Sequence, residues 1–219
     1  MAVLGNRLSR IADIAGGSTV CDVGCDHGYL AIELIKRKRA GHVIASDLRE
    51  GPLQRAKENI KRAGLESDID IVLSDGLCHL KKESADCIVI AGMGGPLIEN
   101  ILKGNEEVAK NAVLVLSPQS HVPEFREFLW DNGYEIIGDE MVFDDEKYYF
   151  ILTVRYCGSP ISYNKRDSLI GKDPDLSEGS ALKAFCDKKT RELDLIIPQI
   201  PDGKRLEKLR EEFRIYSEG

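Results

Sequence analysis

The 219-residue sequence predicts an α/β fold: a mostly parallel sheet with helices on both faces, an antiparallel hairpin as its last two strands, and a small C-terminal helical hairpin. Three observations lead there. From residue 4 to residue 132, short apolar runs alternate with segments of helical period, the pattern of a covered parallel sheet. The next two runs, Tyr134–Val142 and Tyr148–Tyr156, are joined only by Phe143–Lys147, too short for a crossover, so that pair is antiparallel. Beyond Pro160 the strand-like runs stop and long amphipathic stretches take over.

The elements follow in order. Leu4, Leu8, Ile11 and Ile14 recur at helical spacing and Gly16-Gly17 stops the helix. Thr19–Val23 is a strand and Tyr29–Arg37 a helix with Leu30, Leu34 and Ile35 on one side. His42–Ser46 is a strand ending at Asp47. Pro52–Ala63 is a helix, with proline at an early position and Gly64 as its stop. Strands Ile69–Leu73, Asp86–Ala91 and Ala112–Leu116 alternate with helices Pro96–Leu102 and Pro123–Asn132. Residues 160–178 hold breakers and polar residues and read as a linker with a short turn. Ser180–Ile197 and Lys204–Ser217, separated by Pro198–Gly203, form a helical hairpin or coiled coil whose apolar stripes need a partner. The expected division is therefore 1–157 for the sheet domain and 158–219 for linker and hairpin.

Composition narrows the function classes. A 42% hydrophobic fraction supplies a core, and 31% charged residues suit a solvated surface. No apolar run approaches the roughly 20 residues that cross a bilayer, and Met1–Arg10 lacks a leader-like apolar stretch, so a cytoplasmic protein is expected. The six cysteines show no paired zinc-site spacing; neither a metal nor a structural disulfide is expected. The net charge of −7 argues against a general nucleic-acid binder. That deficit lies wholly in the first 159 residues, since residues 160–219 hold 12 basic and 12 acidic side chains. Lys188, Lys189 and Arg191 form a local basic cluster on the first hairpin helix, either a solvated face or a grip on RNA.

Four turns carry the candidate chemistry. Asp22-Val23-Gly24-Cys25-Asp26-His27-Gly28 joins the first strand to a helix, whose free N–H groups suit a carboxylate. It resembles an acidic residue followed by G-x-G-x-G with Asp26 in the middle position, and it fails the G-x-G-x-x-G pattern of nicotinamide sites. Asp47, 23 residues after Gly24, can accept hydrogen bonds from ribose hydroxyls or cap the next helix. Asp75, in Ser74-Asp75-Gly76, can accept from an adenine amino group or close a turn. Ala91-Gly92-Met93-Gly94-Gly95 ends the fourth strand, where three glycines either bare the backbone to a flat substrate or make a tight turn. Three acids at three successive strand ends, in a fold whose ligands bind at those ends, point jointly to an adenosine-bearing ligand.

A parallel sheet with a terminal hairpin resembles the Rossmann-like class I methyltransferases, and the motifs resemble one family in particular. Asn6-Arg7-Leu8, Val23 to Leu30, Ala45-Ser46-Asp47-Leu48, Gly51 to Gln54, Ser74 to Leu77, Ile90 to Gly95 and Ser117-Pro118-Gln119 are similar to the bacterial tRNA (adenine-N1)-methyltransferases that modify position 22 in the D-arm. The resemblance covers the sheet domain; the helical hairpin matches the family's appended coiled-coil domain in pattern only. Cys25 and Gly28 depart from the family's frequent Ser and Ala.

The resemblance implies S-adenosyl-L-methionine as cofactor, tRNA as substrate, no membrane, and a monomer or weak homodimer through the C-terminal helices. Carried over by position, Arg7, Asp22, Gly24, Cys25, Asp26, Asp47, Leu48, Asp75, Gly76, Ala91, Gly92 and Met93 would line the cofactor site. Asp26, His27, Tyr29, Gly94, Gly95, Gln119 and Tyr149 would serve the catalytic and substrate side. The alternatives are a small-molecule methyltransferase using the same cofactor, and a noncatalytic protein that binds it and recruits a partner through the hairpin.

Overall fold

The computed structural model describes residues 4–219; residues 1–3, which begin both the expected sheet domain and the N-terminal stretch read for a leader, lie outside the described residues. Seven strands form one sheet in the order β3-β2-β1-β4-β5-β7-β6. They are β1 (Gly17–Val23), β2 (Ala40–Asp47), β3 (Ile69–Leu73), β4 (Cys87–Ala91), β5 (Val113–Ser117), β6 (Tyr134–Asp144) and β7 (Lys147–Tyr156). β1 to β5 are parallel, and β7 runs antiparallel to both β5 and β6.

The central strands are apolar on consecutive residues because both faces are covered. Val20, Val43, Val89, Val115 and Ile151 face one core with Ile11, Leu34 and Ile60. Those three come from α1 (Asn6–Ile14), α2 (Tyr29–Lys36) and α3 (Glu50–Ala63). Ile88, Ile90, Leu114, Leu116, Leu152 and Val154 face the opposite core. There they meet Leu102 of α4 (Gly95–Gly104) and Phe125 and Leu129 of α6 (Val122–Asp131). A further short helix, α5 (Glu106–Ala109), was not expected.

Two readings of the chain need correcting. The loop between the last strands is not the five residues Phe143–Lys147: the strands run on to Asp144 and from Lys147, leaving Asp145-Glu146 as a two-residue turn. Both turn residues have positive φ, 45° and 61°, which matches the twist of the flanking strands. Residues 160–178 are also more than a linker, because they contain α7 (Lys165–Ile170). Asn164 and Asp167 form a reciprocal capping box at its start, and Ser168, Leu169 and Ile170 are buried.

The end of α7 is fastened by a charge inside the fold. Arg126 is fully buried and makes a two-point ion pair with Asp139, both contacts at 2.9 Å. The same guanidinium donates to the carbonyls of Ser168 at 2.9 Å and Leu169 at 3.3 Å, backbone groups that a helix end leaves unpaired.

Helices α8 (Ala181–Ile196) and α9 (Lys204–Ser217) pack on each other and on the sheet core through Leu182, Leu193, Ile215 and Tyr216. Phe185 sits among the rings of Tyr148, Phe150 and Tyr216, with centroids 5.7, 5.7 and 5.9 Å away. Among the described residues, no helix is long and apolar enough to cross a membrane.

Candidate active site

A cavity of about 550 Å³ opens at the carboxyl ends of the parallel strands, lined by residues following β1, β2, β3 and β4 and by Arg7 of α1. Ligands of open α/β sheets bind at such ends because helix N-termini and loop N–H groups converge there.

The β1–α2 turn forms its floor. The N–H groups of Gly24 and Cys25 both donate to the Ser46 carbonyl, at 2.8 and 2.9 Å, drawing the turn onto β2. Gly24 has φ +75°, a left-handed backbone that favours glycine, and a Cβ there would push the Met93 methyl aside. Asp26 has φ +47°. Its departure from the glycine pattern thus keeps the left-handed backbone, which aspartate tolerates better than most residues. Asp26 approaches His27 Nε2 at 3.4 Å, and the His27 ring stacks on Tyr29 with centroids 5.5 Å apart.

The three strand-end acids differ in environment. Asp47 is 6% exposed and accepts from the Arg49 N–H at 3.0 Å and, more weakly, from the Asp26 N–H at 3.4 Å. Asp22 is 4% exposed and its Oδ2 has no hydrogen-bond partner. Burial, reinforced by the neighbouring Asp47 carboxylate, pushes the Asp22 carboxyl up to about 7. Asp75 is exposed on the wall beside Gly76.

Arg7 enters from the other side. Its guanidinium lies 4.9 Å from the centroid of the Tyr149 ring, and its Nη1 is buried without a partner. Among the described residues, four buried side-chain polar atoms lack partners, and the two charged ones, on Arg7 and Asp22, both belong to residues lining this cavity. A cation and an acid left unsatisfied in one cavity fit a ligand carrying its own carboxylate and ammonium, as the amino-acid end of S-adenosylmethionine does. Among the described residues there is no His/Cys/Asp/Glu group that could hold a metal ion.

All twelve residues expected to hold the cofactor line this cavity, as do Asp26, His27, Tyr29 and Gln119 from the catalytic set. Tyr149 lines an adjoining cavity that meets the first at Gln119. Gly94 and Gly95 lie on neither wall. Gly95 is buried where a Cβ would stand 2.8 Å from the Ser120 carbonyl oxygen, and one on Gly94 would stand 2.9 Å from Ser120 Oγ. They allow α4 to start against the turn after β5. Leu8, Arg49, Leu97 and Ile101 line the cavity without having been expected. Leu97 and Leu48, 52% and 64% exposed, make an apolar rim that a polar-motif search passes over.

Sheet order and cavity together define a Rossmann-like methyltransferase, and residues 4–152 match the family model described as "Methyltransferase domain". The chain belongs to the family of bacterial tRNA (adenine(22)-N1)-methyltransferases. It is 36% identical to the Bacillus subtilis member over 151 residues, which is 68% of this chain and 63% of that protein, so the sequence match spans just under two thirds of that relative. The solved structure of the B. subtilis tRNA methyltransferase TrmK is 31% identical, with a TM-score of 0.82 over 100% of this chain and 99% of that one. A Streptococcus pneumoniae protein solved with S-adenosyl-L-methionine is 30% identical, with a TM-score of 0.85 and 99% of both chains covered.

Proposed function

We propose that this protein transfers a methyl group from S-adenosyl-L-methionine to N1 of the adenine at position 22 in the D-arm of tRNA. The observation that carries the reading is the likeness to B. subtilis TrmK along the whole chain, C-terminal helices included. The unpaired Arg7 and Asp22 atoms support the cofactor on independent physical grounds.

In this reading Arg7 receives the carboxylate of the cofactor and Asp22 its ammonium. Asp47 accepts from the ribose hydroxyls and Asp75 from the adenine amino group. Gly24, Cys25, Leu48, Gly76, Ala91, Gly92 and Met93 supply backbone contacts and walls. S-adenosylmethionine contributes an electrophilic methyl group on a sulfonium. Adenine N1 keeps a lone pair in the neutral base, so no side chain has to remove a proton before attack. The chain has to position N1 and accept the positive charge that moves onto the ring. In this reading Asp26 supplies the carboxylate for that charge, His27 and Tyr29, whose rings stack, lie next to it in the chain, and Gln119 and Tyr149 serve the substrate side. Gly94 and Gly95 hold the turn that presents Met93. The target base must be unpaired or turned outward, because N1 is occupied in a Watson–Crick pair.

The reaction belongs to the cytoplasm, where tRNA is modified, and the chain acts as a monomer or weak homodimer through α8 and α9. The test is incubation of purified protein with unmodified tRNA and methyl-labelled cofactor, followed by nucleoside mass spectrometry. N1-methyladenosine at position 22 supports the reading. Label on small molecules but not on tRNA supports a small-molecule methyltransferase instead.

A further inference from the structure

The second cavity, about 420 Å³, has walls from two distant parts of the chain. Lys147, Tyr148 and Tyr149 begin β7; Phe185, Lys188 and Lys189 lie in α8. The Tyr148 and Phe185 rings meet edge to face with centroids 5.7 Å apart. The Lys188 ammonium stands 5.9 Å from the Tyr148 ring, and the Lys189 ammonium 5.7 Å from the Phe185 ring. Both lysines share a single carboxylate, Glu192, at 4.0 and 2.8 Å. Half-exposed ion pairs of this kind are weakly held and exchange readily for a better anion.

This lining is specific in its chemistry. Aromatic walls interleaved with ammonium groups suit a nucleotide, whose base stacks on rings and whose phosphate takes the charge. The place is specific too, since Gln119 belongs to both cavities and Tyr149 carries Arg7 over its ring. A nucleotide turned out of an RNA helix brings its neighbour's backbone along with it. On a chain of net charge −7, a recess that sets three lysines against one carboxylate, Glu146, and opens beside the cofactor cavity is where that backbone would be drawn.

Resting on the methyltransferase reading above, we infer that the second cavity seats the nucleotide adjacent to the target adenosine. Its base lies against Tyr148 and Phe185, and its flanking phosphates lie on Lys147, Lys188 and Lys189. Helix α8 is thereby part of the substrate site.

The experiment compares the full-length protein with the double variant Lys188→Glu/Lys189→Glu, using an unmodified tRNA transcript across a range of salt concentrations. The tRNA KM rises at least about tenfold, and the slope of log KM against log salt falls by about 1.4 to 1.8, as loss of two phosphate contacts requires. Cofactor affinity and kcat at saturating tRNA stay as in the parent. Tyr148→Leu raises the tRNA KM by roughly tenfold through lost stacking, without changing the salt slope. Lys61→Glu/Arg62→Glu on α3 makes the same charge change elsewhere and leaves the KM unaltered. If charge reversal prevents folding, judged by thermal melting, Lys188→Gln/Lys189→Gln gives the same slope change. An unchanged KM and slope in the cavity variants, or an equal rise in the α3 variant, overturns the inference. If the parent methylates no tRNA yet binds the transcript with an affinity that the cavity variants lose, the site stands and the functional reading fails.

Discussion

Asp144, the last residue of β6, accepts hydrogen bonds from the backbone N–H of Arg7 at 3.2 Å and of Asn6 at 3.0 Å, so a hairpin residue 137 positions away caps the helix that carries Arg7 into the cavity. The neighbouring Phe143 carbonyl accepts from the Asn6 side chain at 3.1 Å. A carboxylate at a helix N-terminus satisfies unpaired N–H groups and complements the helix dipole. Asp144→Ala should cost about 1–2 kcal/mol of stability. Because it loosens Arg7, it should also weaken cofactor binding by about tenfold, with kcat at saturating cofactor retained. Titration calorimetry with S-adenosylmethionine, alongside thermal melting, checks both; unchanged cofactor affinity would remove Asp144 from the positioning of Arg7.

In the proposed reading, Asp22 links cofactor binding to protons. Its carboxyl is raised from 3.8 to about 7 by burial and by Asp47, so the free protein holds it protonated below neutrality. An ammonium ligand needs the ionised form, so affinity should fall as pH drops below about 7, by up to tenfold per unit, and level off above. The stability consequence has the opposite sign. A raised acid favours the folded state fully below its unfolded pKa and loses that advantage as pH rises through the folded value. Asp22→Asn should therefore melt higher than the parent at pH 8, by an amount on the order of a few kcal/mol, and the difference should vanish near pH 4. The same variant should lose most of its affinity for the cofactor. Equal melting at pH 8 would show that the Asp22 carboxylate carries no burial penalty.

The buried pair Arg126–Asp139 holds the C-terminal segment to the sheet. Removing one partner strands the other charge, so Asp139→Ala should destabilise the protein by about 3–5 kcal/mol in denaturant titration. The loss should loosen α7 first, seen as faster amide exchange at Leu169 and Ile170. A change below 1 kcal/mol would mean that the pair contributes little beyond its own desolvation.

Two glycines separate close packing from chain flexibility. Gly95→Ala should cost about 1–3 kcal/mol, because the new Cβ meets the Ser120 carbonyl oxygen at 2.8 Å and Phe125 Cβ at 3.2 Å. Gly104→Ala at the end of α4 meets nothing within 4 Å and should stabilise by about 0.5–1 kcal/mol. Thermal melting of the two variants, moving in opposite directions, checks the pair.

The sheet was legible because its central strands, such as Ile88–Ile90 and Leu114–Leu116, are apolar on successive residues and lie between glycine and acid turns. The cofactor wall was legible for the same reason: Gly24 and Gly92 directly follow strands, Asp47 ends one, and Asp75 lies two residues beyond another. What stayed hidden depends on distance along the chain. Asp144 looks like any loop acid until α1 is placed against it. Arg126 reads as the polar position of an amphipathic helix, yet it is buried by β6 and α7. Helix α7 is six residues long, too short for a period to show, and only its capping box marks it. The second cavity joins residues 147–149 to residues 185–189, a meeting that no local pattern announces.

The central claim is that this cavity binds S-adenosylmethionine and delivers its methyl group to N1 of one tRNA adenine. The most direct measurement is methylation of two unmodified tRNA transcripts that differ only in having adenine or guanine at position 22, with digested nucleosides identified by mass spectrometry. N1-methyladenosine should form in the first transcript and be absent from the second. Equal methylation of both, or none of either while a small molecule takes the label, would contradict it.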